Sequence, residues 1–532
     1  MLPGVQFWDT GELQAVAPLM GTAHPTGFPT YVLLGWVASV VLQPFGEPAF
    51  RMNIFSALCL AVAAGVTVDL VRVLTGRVVI GLAAGIALAL TPISWAVGTH
   101  AEAHSLHLAL VAILLWLLVA WDAHARRSEP SAAGAERTDR GDRFLVAATF
   151  VFALAVGNHS LTLLLAIPVG LYVIAVDPGI WRRGRLVWSC IAVLALTLVT
   201  VYLELPLRSA PGPLRAALVY GTPYTWEGFK YIVFAEQFQG SLQDPFGELP
   251  RKLGYLIALA VAQFGILAPL IPIGFIATAI RRPRYALLTG SAAAITCFFA
   301  VSYVNADINR YYLGPALMAW TWLAILAATV IDALARAATD RDVDDPSAAA
   351  TVATRSALTA VLLAVALLVP TLFALPSRYH AVDLRGDQAA ASWTDHVLDV
   401  MAPDAVIVSW WSYSTPLWYA QRVEGRRGKP GNSSQPPSTA VKLFPAEGGL
   451  ENRAHRHHSH HLAVSPTHRP ETGLFCLGRH GRGGHSAEER GRRHPAAGHR
   501  TDRRRHRCVP QRCLVQRAAA GPDNQSSRPE RG

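Results

Sequence analysis

The strongest constraint on this chain is a series of apolar runs, each long enough to cross a lipid bilayer. A helix needs about 20 apolar residues to span the hydrocarbon core. One of these apolar runs, 143–176, is interrupted by Gly157-Asn158-His159, which indicates two spans joined by a tight polar turn. The pattern predicts an all-α polytopic membrane protein with about ten complete spans. The uninterrupted runs are 53–73, 78–97, 104–121, 186–205, 253–279, 285–303, 311–332 and 356–375.

Composition supports a membrane protein and excludes nucleic acid as a partner. Of 532 residues, 52% are hydrophobic and 16% are charged, which is high apolarity for this length. The net charge of +11 comes from the tail, because residues 426–532 hold 21 of the 47 Lys+Arg but 8 of the 36 Asp+Glu. Residues 1–425 are therefore slightly acidic. The six cysteines show no paired spacing.

Arginines in the connections between spans predict the topology, because cytoplasmic loops carry an excess of Lys and Arg. The opposite connections, 98–103, 157–159 and 304–310, hold a single arginine, Arg310. This alternation holds if 27–44 lies flat as an interfacial helix. If 27–44 crosses the membrane instead, the head of the chain moves to the other face; we favour the interfacial helix. The arginines of the alternate connections are Arg72, Arg77, Arg126, Arg127, Arg137, Arg140, Arg182, Arg183, Arg185, Arg281, Arg282, Arg284, Arg336, Arg341 and Arg355.

On this topology, polar residues gather at the non-cytoplasmic face. Asp9 and Glu12 are three residues apart and share a face if their segment is helical. Singly, each residue has an ordinary explanation: Asp9 suits a helix N-cap, and a histidine or glutamate at a span end is usually solvated. Together they indicate a polar cavity open to the outside, since such groups are costly beside a membrane. They are Asp9, Glu12, His24, Arg51, His100, Glu102, His104, Asn158, His159, Glu204, Arg208, Asp307 and Arg310.

These patterns divide the chain into three segments followed by a tail, residues 426–532. Residues 1–52 form the first outer loop with the acidic pair and the interfacial helix, and 53–375 form the transmembrane bundle. Within the bundle, the loop 206–250 carries the aromatic piece 222–240, which suits either an interfacial anchor or a wall for a sugar or lipid. Residues 376–425, with a strand predicted at 405–410, begin an outer soluble α/β domain that is then truncated.

Both ends of the chain are unusual. Residues 426–532 lose all apolar periodicity and are rich in Arg and His, which favours an out-of-frame translation; a disordered basic tail is the alternative. Metal binding by the histidines there is weakly supported. The predicted topology also needs a span before Asp9, so we expect an upstream start. With it the count becomes 10–11 transmembrane helices.

Three stretches near the start carry a resemblance to a known family. They are FWDTGEL at 7–13, AHPTGFPTY at 23–31 and RMNIFSAL at 51–58. They resemble the bacterial membrane family called domain of unknown function 2723, whose animal relative is an endoplasmic-reticulum protein O-mannosyltransferase. More distantly, they resemble the GT-C glycosyltransferase superfamily, with its first-loop acid and His-Pro-Pro motif. Thr26 replaces the second proline of that motif here.

The resemblance implies an enzyme and assigns roles to residues. The catalytic base falls on Asp9, with Glu12 as its neighbour or substitute. Among the outer-face arginines, Arg310 beside Asp307 is the first candidate to stabilise a departing lipid phosphate, and Arg51 is the second. The substrate-binding residues expected are His24, Arg51, Glu102, His159, Arg208, Asp307 and Arg310.

The function expected is that of a GT-C-like membrane glycosyltransferase in the bacterial inner membrane, with its site facing outside. It would move a sugar, with mannose favoured, from a polyprenyl-phosphate donor to an acceptor hydroxyl on protein or glycan. The alternatives are a transporter or flippase of lipid-linked sugars and a non-catalytic membrane scaffold. The lipid-linked donor and membrane lipids are the expected partners. No metal ligands are assigned, and a divalent-metal requirement is left open.

Overall fold

The computed structural model describes residues 1–127, 141–305, 307–339, 348–402, 405, 407–426 and 475–476. Met1–Gly478 forms one compact unit, and the second unit, Arg479–Gly532, lies wholly outside the described residues. The predictions made for the tail after 426 therefore fall outside the described part of the chain, apart from residues 475–476.

The described chain is almost entirely helical. One short antiparallel pair joins β1 (Ile407–Val408) to β2 (Phe475–Cys476), and β1 falls within the strand predicted at 405–410. The helices, in chain order, are α1 Trp8–Leu19, α2 Pro29–Val41, α3 Pro48–Thr75, α4 Val78–Ala89, α5 Pro92–Val97, α6 Ala103–Arg127, α7 Asp142–Asn158, α8 Ala166–Val176, α9 Gly184–Tyr202, α10 Glu204–Ser209, α11 Trp226–Val233, α12 Leu249–Phe264, α13 Leu270–Arg281, α14 Pro283–Val301, α15 Leu313–Thr339, α16 Ala348–Phe373, α17 Leu375–Val382, α18 Ala389–Val400 and α19 Trp411–Trp418.

The all-α membrane architecture is confirmed, with fewer unbroken spans than the apolar runs predicted. Within the described residues, six helices are long and apolar enough to cross a membrane, or seven if the pair α12–α13, bent by 82°, counts as one span. The run 78–97 is divided between α4 and α5, and 143–176 is interrupted at His159 as expected. Proline and glycine explain the unexpected breaks, since α5 begins at Pro92 and Gly265 ends α12 with φ +58°.

The segment 27–44 contains α2, which has 13 residues. At 1.5 Å per residue such a helix is about 20 Å long, shorter than the hydrocarbon core of about 30 Å. The length fits the interfacial helix expected for this segment better than a full crossing.

The helix α6 lies at the centre of the bundle, since 89% of its most apolar stretch is buried, against 17% for the span that contains α9. α3 and α4 pack closely beside it. A Cβ atom added to Gly81 or Gly85 would lie 2.5–2.6 Å from the carbonyl oxygens of Val68 and Ala64. Small residues at these two positions therefore allow the close helix contact that stabilises membrane bundles.

One end of the bundle gathers arginines from several connections. Arg77 pairs with Asp332 at 2.6 Å, and Arg281 pairs with the same carboxylate. Arg282 donates a hydrogen bond of 2.7 Å to the carbonyl oxygen of Leu74 at the end of α3. Arginines of the α3–α4 and α13–α14 connections thus meet at one end, as alternation of the loops predicts.

Candidate functional site

The acidic pair of the first segment lies on the first turns of α1, and Glu12 is fixed within it. The Glu12 side chain is 1% exposed. Its Oε1 accepts a hydrogen bond of 2.9 Å from the backbone N–H of His24, and its Oε2 pairs with His24 Nδ1. Burial alone would lower the pKa of His24, but the carboxylates of Glu12 and Asp9 outweigh it and raise that pKa to about 9. The pair closes the loop between α1 and α2.

A second buried carboxylate, Glu102, precedes α6 and is also fully engaged. Its Oε1 accepts from His104 Nδ1 at 2.8 Å, and its Oε2 pairs with Arg310. The backbone N–H of Glu102 donates a hydrogen bond of 3.0 Å to Ser56 Oγ on α3. Burial alone would raise the pKa of Glu102, but Arg310 and His104 hold it well below its usual range.

Arg310 connects three carboxylates from distant parts of the chain. It lies on a 3-10 turn, Ile308–Tyr312, before α15. Besides Glu102, its Nη2 lies 2.5 Å from Asp307 Oδ2 and 3.7 Å from Asp9 Oδ2. The Arg310 side chain is 18% exposed, so this cation is largely withdrawn from solvent. The geometry brings together Asp9, Glu102, Asp307 and Arg310, four of the polar residues that sequence analysis placed at one face.

Asp9 is a partly exposed carboxylate at the centre of this cluster. Its side chain is 31% exposed, whereas those of Glu12 and Glu102 are 1% and 2% exposed. Its Oδ1 accepts a hydrogen bond of 3.1 Å from Trp411 Nε1 at the start of α19. Asp9 is thus held in place but still open to a ligand.

Aromatic rings and histidines line the neighbourhood of the cluster. The ring of His159 lies 4.7 Å from that of His104, and both lie 5.5 Å from Tyr311. His159 also contacts Phe28, which in turn contacts His24. His24 and His159, expected at the substrate, therefore lie on a continuous aromatic wall beside Arg310.

Two expected residues do not join the cluster. Arg51, on the first turn of α3, donates hydrogen bonds of 2.6 Å to the carbonyl oxygen of Gly46 and 3.1 Å to that of Ser39. Arg208, on α10, donates 2.9 Å to the carbonyl oxygen of Met20 at the end of α1. Both side chains cap backbone carbonyls, and their roles at a substrate remain predictions.

Sequence analysis missed Trp411 as a site residue and did not place His104 at a substrate. His104 could be found from its position two residues after Glu102, at the start of a span. Trp411 directly follows the strand predicted at 405–410. Its contact with Asp9 joins residues 402 positions apart, so no local pattern indicates it.

The outer segments also reach the site. α11 forms within the aromatic piece 222–240, and Phe238 beyond it contacts the His24 ring at 6.4 Å. α17, α18 and α19 occupy the segment expected to begin an outer domain, and Tyr419 after α19 accepts a hydrogen bond of 3.0 Å from the backbone N–H of Ala49. That domain boundary stays a prediction.

In the ranges that the structure describes, no group of three or more His, Cys, Asp or Glu residues is arranged to hold a metal ion.

Fold and site together define a polytopic helical membrane protein with a partly exposed carboxylate beside a largely buried arginine at one end of the bundle. Residues 9–179 match the family model described as the N-terminal domain of protein O-mannosyl-transferase TMEM260. The match includes Asp9, Glu12, His24, Glu102 and His159. It confirms, over this stretch, the resemblance found in the sequence.

Two curated relatives carry the same name. The mouse protein O-mannosyl-transferase TMEM260 is 29% identical over 244 residues, which cover 44% of this chain and 31% of the relative. The protein of that name from Dictyostelium discoideum is 25% identical over 277 residues, covering 49% of this chain and 32% of the relative. The chain thus spans about a third of the length of the curated relatives it matches.

Two solved structures of membrane glycosyltransferases show a weaker likeness. ArnT from Cupriavidus metallidurans, bound to undecaprenyl phosphate, superposes with a TM-score of 0.47 at 16% identity over 78% of this chain and 81% of that one. The Archaeoglobus fulgidus oligosaccharyltransferase, tethered to an acceptor peptide, gives a TM-score of 0.49 at 15% identity over 80% and 60% of the two chains.

Proposed function

We propose that this chain is a membrane glycosyltransferase that moves a sugar from a polyprenyl-phosphate donor to an acceptor hydroxyl, with Asp9 as the general base. One observation carries the proposal: Asp9 is partly exposed, lies 3.7 Å from Arg310 and is held by Trp411. Of the other carboxylates, Glu12 and Glu102 are buried and bonded, and Asp307 is bonded directly to Arg310. Two relatives named protein O-mannosyl-transferases support the reaction class, mannose as the sugar and protein as the acceptor.

The chemistry requires a base and a cation at one place. An acceptor hydroxyl attacks the anomeric carbon of the sugar while its proton passes to the Asp9 carboxylate. The bond from the anomeric carbon to the phosphate oxygen breaks, and the lipid phosphate leaves with the electron pair. A guanidinium stabilises the negative charge that develops on that oxygen. Asp9 and Arg310, 3.7 Å apart, supply both groups.

The charge of Arg310 is already compensated by three carboxylates, so a donor phosphate binds there more favourably if one of them moves away. Glu102 is buried and Asp9 has the proposed role in proton transfer. Asp307 is 59% exposed, and an ion pair of that exposure contributes little to stability. We infer that the donor phosphate displaces Asp307 from Arg310, while Glu102 keeps the guanidinium in place.

Glu12 has a supporting role in this proposal. Its two oxygens bond the backbone N–H and the ring of His24, so Glu12 holds in place the loop that carries His24. His24, charged over most of the pH range because its pKa is raised to about 9, offers a second cation near Asp9. We assign His24 and His159 to contacts with the sugar or phosphate.

A transporter or flippase of lipid-linked sugars is the second candidate. The bent pair α12–α13, at 82°, is the observation that favours it, since broken helices line the binding sites of many transporters. Such folds repeat the break in two halves. Within the described ranges there is one such pair.

One assay separates the two functions. Membranes containing the protein receive radiolabelled polyprenyl-phosphate mannose, and the label is followed both across the bilayer and into covalent products. The proposal predicts label covalently attached to protein. Label attached to lipid or glycan would support the transferase but contradict the proposal that protein is the acceptor. Transport of intact donor without any covalent product would establish the flippase.

A further inference from the structure

The proposed base is held by a residue from the other end of the described chain. Trp411 Nε1 donates to Asp9 Oδ1 at 3.1 Å, and Asp9 Oδ2 lies 3.7 Å from Arg310. The two oxygens of one carboxylate therefore have partners on two different elements, α19 and the turn before α15. A carboxylate bonded in this way has little freedom to rotate.

Close packing between α1 and α19 creates this contact. A Cβ atom at Gly11 would lie 2.8 Å from Thr415 Oγ1, so the two helices approach at a glycine. Thr415 is four residues after Trp411 and shares its helix face. The ring of Phe7, just before α1, also contacts that of Tyr413 on α19 at 5.5 Å. The helix that carries Trp411 is thus docked on the helix that carries Asp9.

The indole itself is held by edge-to-face ring contacts. Trp411 lies 5.5 Å from the His24 ring, 5.8 Å from Tyr220 and 5.4 Å from Trp418, with interplanar angles near 80°. Tyr220 is fixed in turn, because its backbone N–H donates 3.1 Å to the carbonyl oxygen of Thr22. With the ring plane set from three sides, the direction of the N–H is set as well.

We propose that Trp411 is a positioning residue, whose indole N–H orients the Asp9 carboxylate for proton abstraction. The proposal rests on the proposed function, since it requires Asp9 to be the base. Without the N–H, the carboxylate can rotate towards Arg310 and pair with it through both oxygens, as carboxylates readily do with guanidinium groups. A base turned away from the acceptor loses rate, because proton transfer needs the reacting atoms aligned.

The test removes the N–H. Benzothienylalanine at position 411 puts sulfur in place of the donor and keeps the shape of the indole, whereas Trp411→Phe removes the donor together with part of the ring. For the benzothienylalanine protein we expect kcat for sugar transfer to fall about tenfold, with the donor KM and the thermal unfolding midpoint unchanged. Trp410→Phe is the matched control, since the Trp410 side chain is 44% exposed. It should leave kcat unchanged.

The outcomes separate this inference from the proposed function. If Asp9→Asn abolishes transfer while both position-411 variants keep full kcat, Trp411 has no positioning role and the base stands. If Asp9→Asn keeps transfer, the base assignment itself is wrong. A fall in the unfolding midpoint that accounts for the lost activity of the benzothienylalanine protein would make Trp411 a structural residue and overturn the inference.

Discussion

The guanidinium of Arg310 lies 3.7 Å from the carboxylate of Asp9 and at the same time pairs with the buried carboxylate of Glu102. α1, the turn before α6 and the turn before α15 are joined through this one side chain. Arg310 therefore has two separable roles: it compensates the buried charge of Glu102, and it sets the electrostatic environment of Asp9.

Replacing Arg310 with methionine should impair both roles. Glu102 would be left 2% exposed without its cation, and breaking such a pair costs about 3–5 kcal/mol of stability. We expect a lower thermal unfolding midpoint in detergent and no measurable transfer. The double variant Arg310→Met/Glu102→Gln should recover most of the midpoint but none of the activity. Full stability in Arg310→Met alone would mean that Glu102 does not depend on the pair.

Asp307 should compete with the donor phosphate for Arg310. The variant Asp307→Asn removes a 59% exposed carboxylate, so we expect stability to change by less than about 0.5 kcal/mol. Donor affinity should rise a few-fold, because the phosphate no longer displaces a charged partner. Titration with labelled polyprenyl-phosphate mannose measures this change. Weaker donor binding in Asp307→Asn would show that Asp307 helps to hold the donor.

The pair of Glu12 and His24 should make stability depend on pH. The folded-state pKa of His24, about 9, lies above its ordinary value of 6.5. The stabilisation is therefore fully present below pH 6.5 and is lost as pH rises towards 9, by an amount on the order of 3 kcal/mol. Unfolding midpoints at pH 6 and pH 9.5 should differ in the native protein, and this difference should shrink in Glu12→Gln. An equal pH dependence in both proteins would contradict the assignment.

Gly11 should tolerate no side chain. A Cβ there would lie 2.1 Å from the carbonyl oxygen of Gln6 and 2.8 Å from Thr415 Oγ1, so Gly11→Ala must separate α1 from α19. We expect a loss of about 1–3 kcal/mol and a fall in transfer. Gly65→Ala in α3 is the control, since nothing lies within 4 Å of its added Cβ. The changes in stability of the two variants should have opposite signs: Gly11→Ala should destabilise the protein, and Gly65→Ala should stabilise it slightly because alanine has a higher helix propensity than glycine.

The sequence predicted the membrane class and most of the cluster because those features are encoded locally. Apolar runs mark spans, and charged groups at span ends are uncommon enough to stand out, as with Glu102 and Arg310. Helix breaks were harder to predict, since the run 253–279 is long and apolar enough for one span although Gly265 and Pro269 divide it. Trp411 could not be predicted, because its contact with Asp9 is a product of tertiary packing at Gly11. The backbone contacts of Arg51 could not be predicted either, and its role at a substrate remains a prediction.

The most direct test of the account is sugar transfer from radiolabelled polyprenyl-phosphate mannose by the Asp9→Asn protein, beside the native protein. The substitution keeps the shape of the side chain and an oxygen for Trp411, and removes the base. Our account predicts transfer reduced at least about 100-fold, the lower range for loss of general base catalysis, with donor binding retained. Transfer at the native rate in a folded Asp9→Asn protein would contradict it.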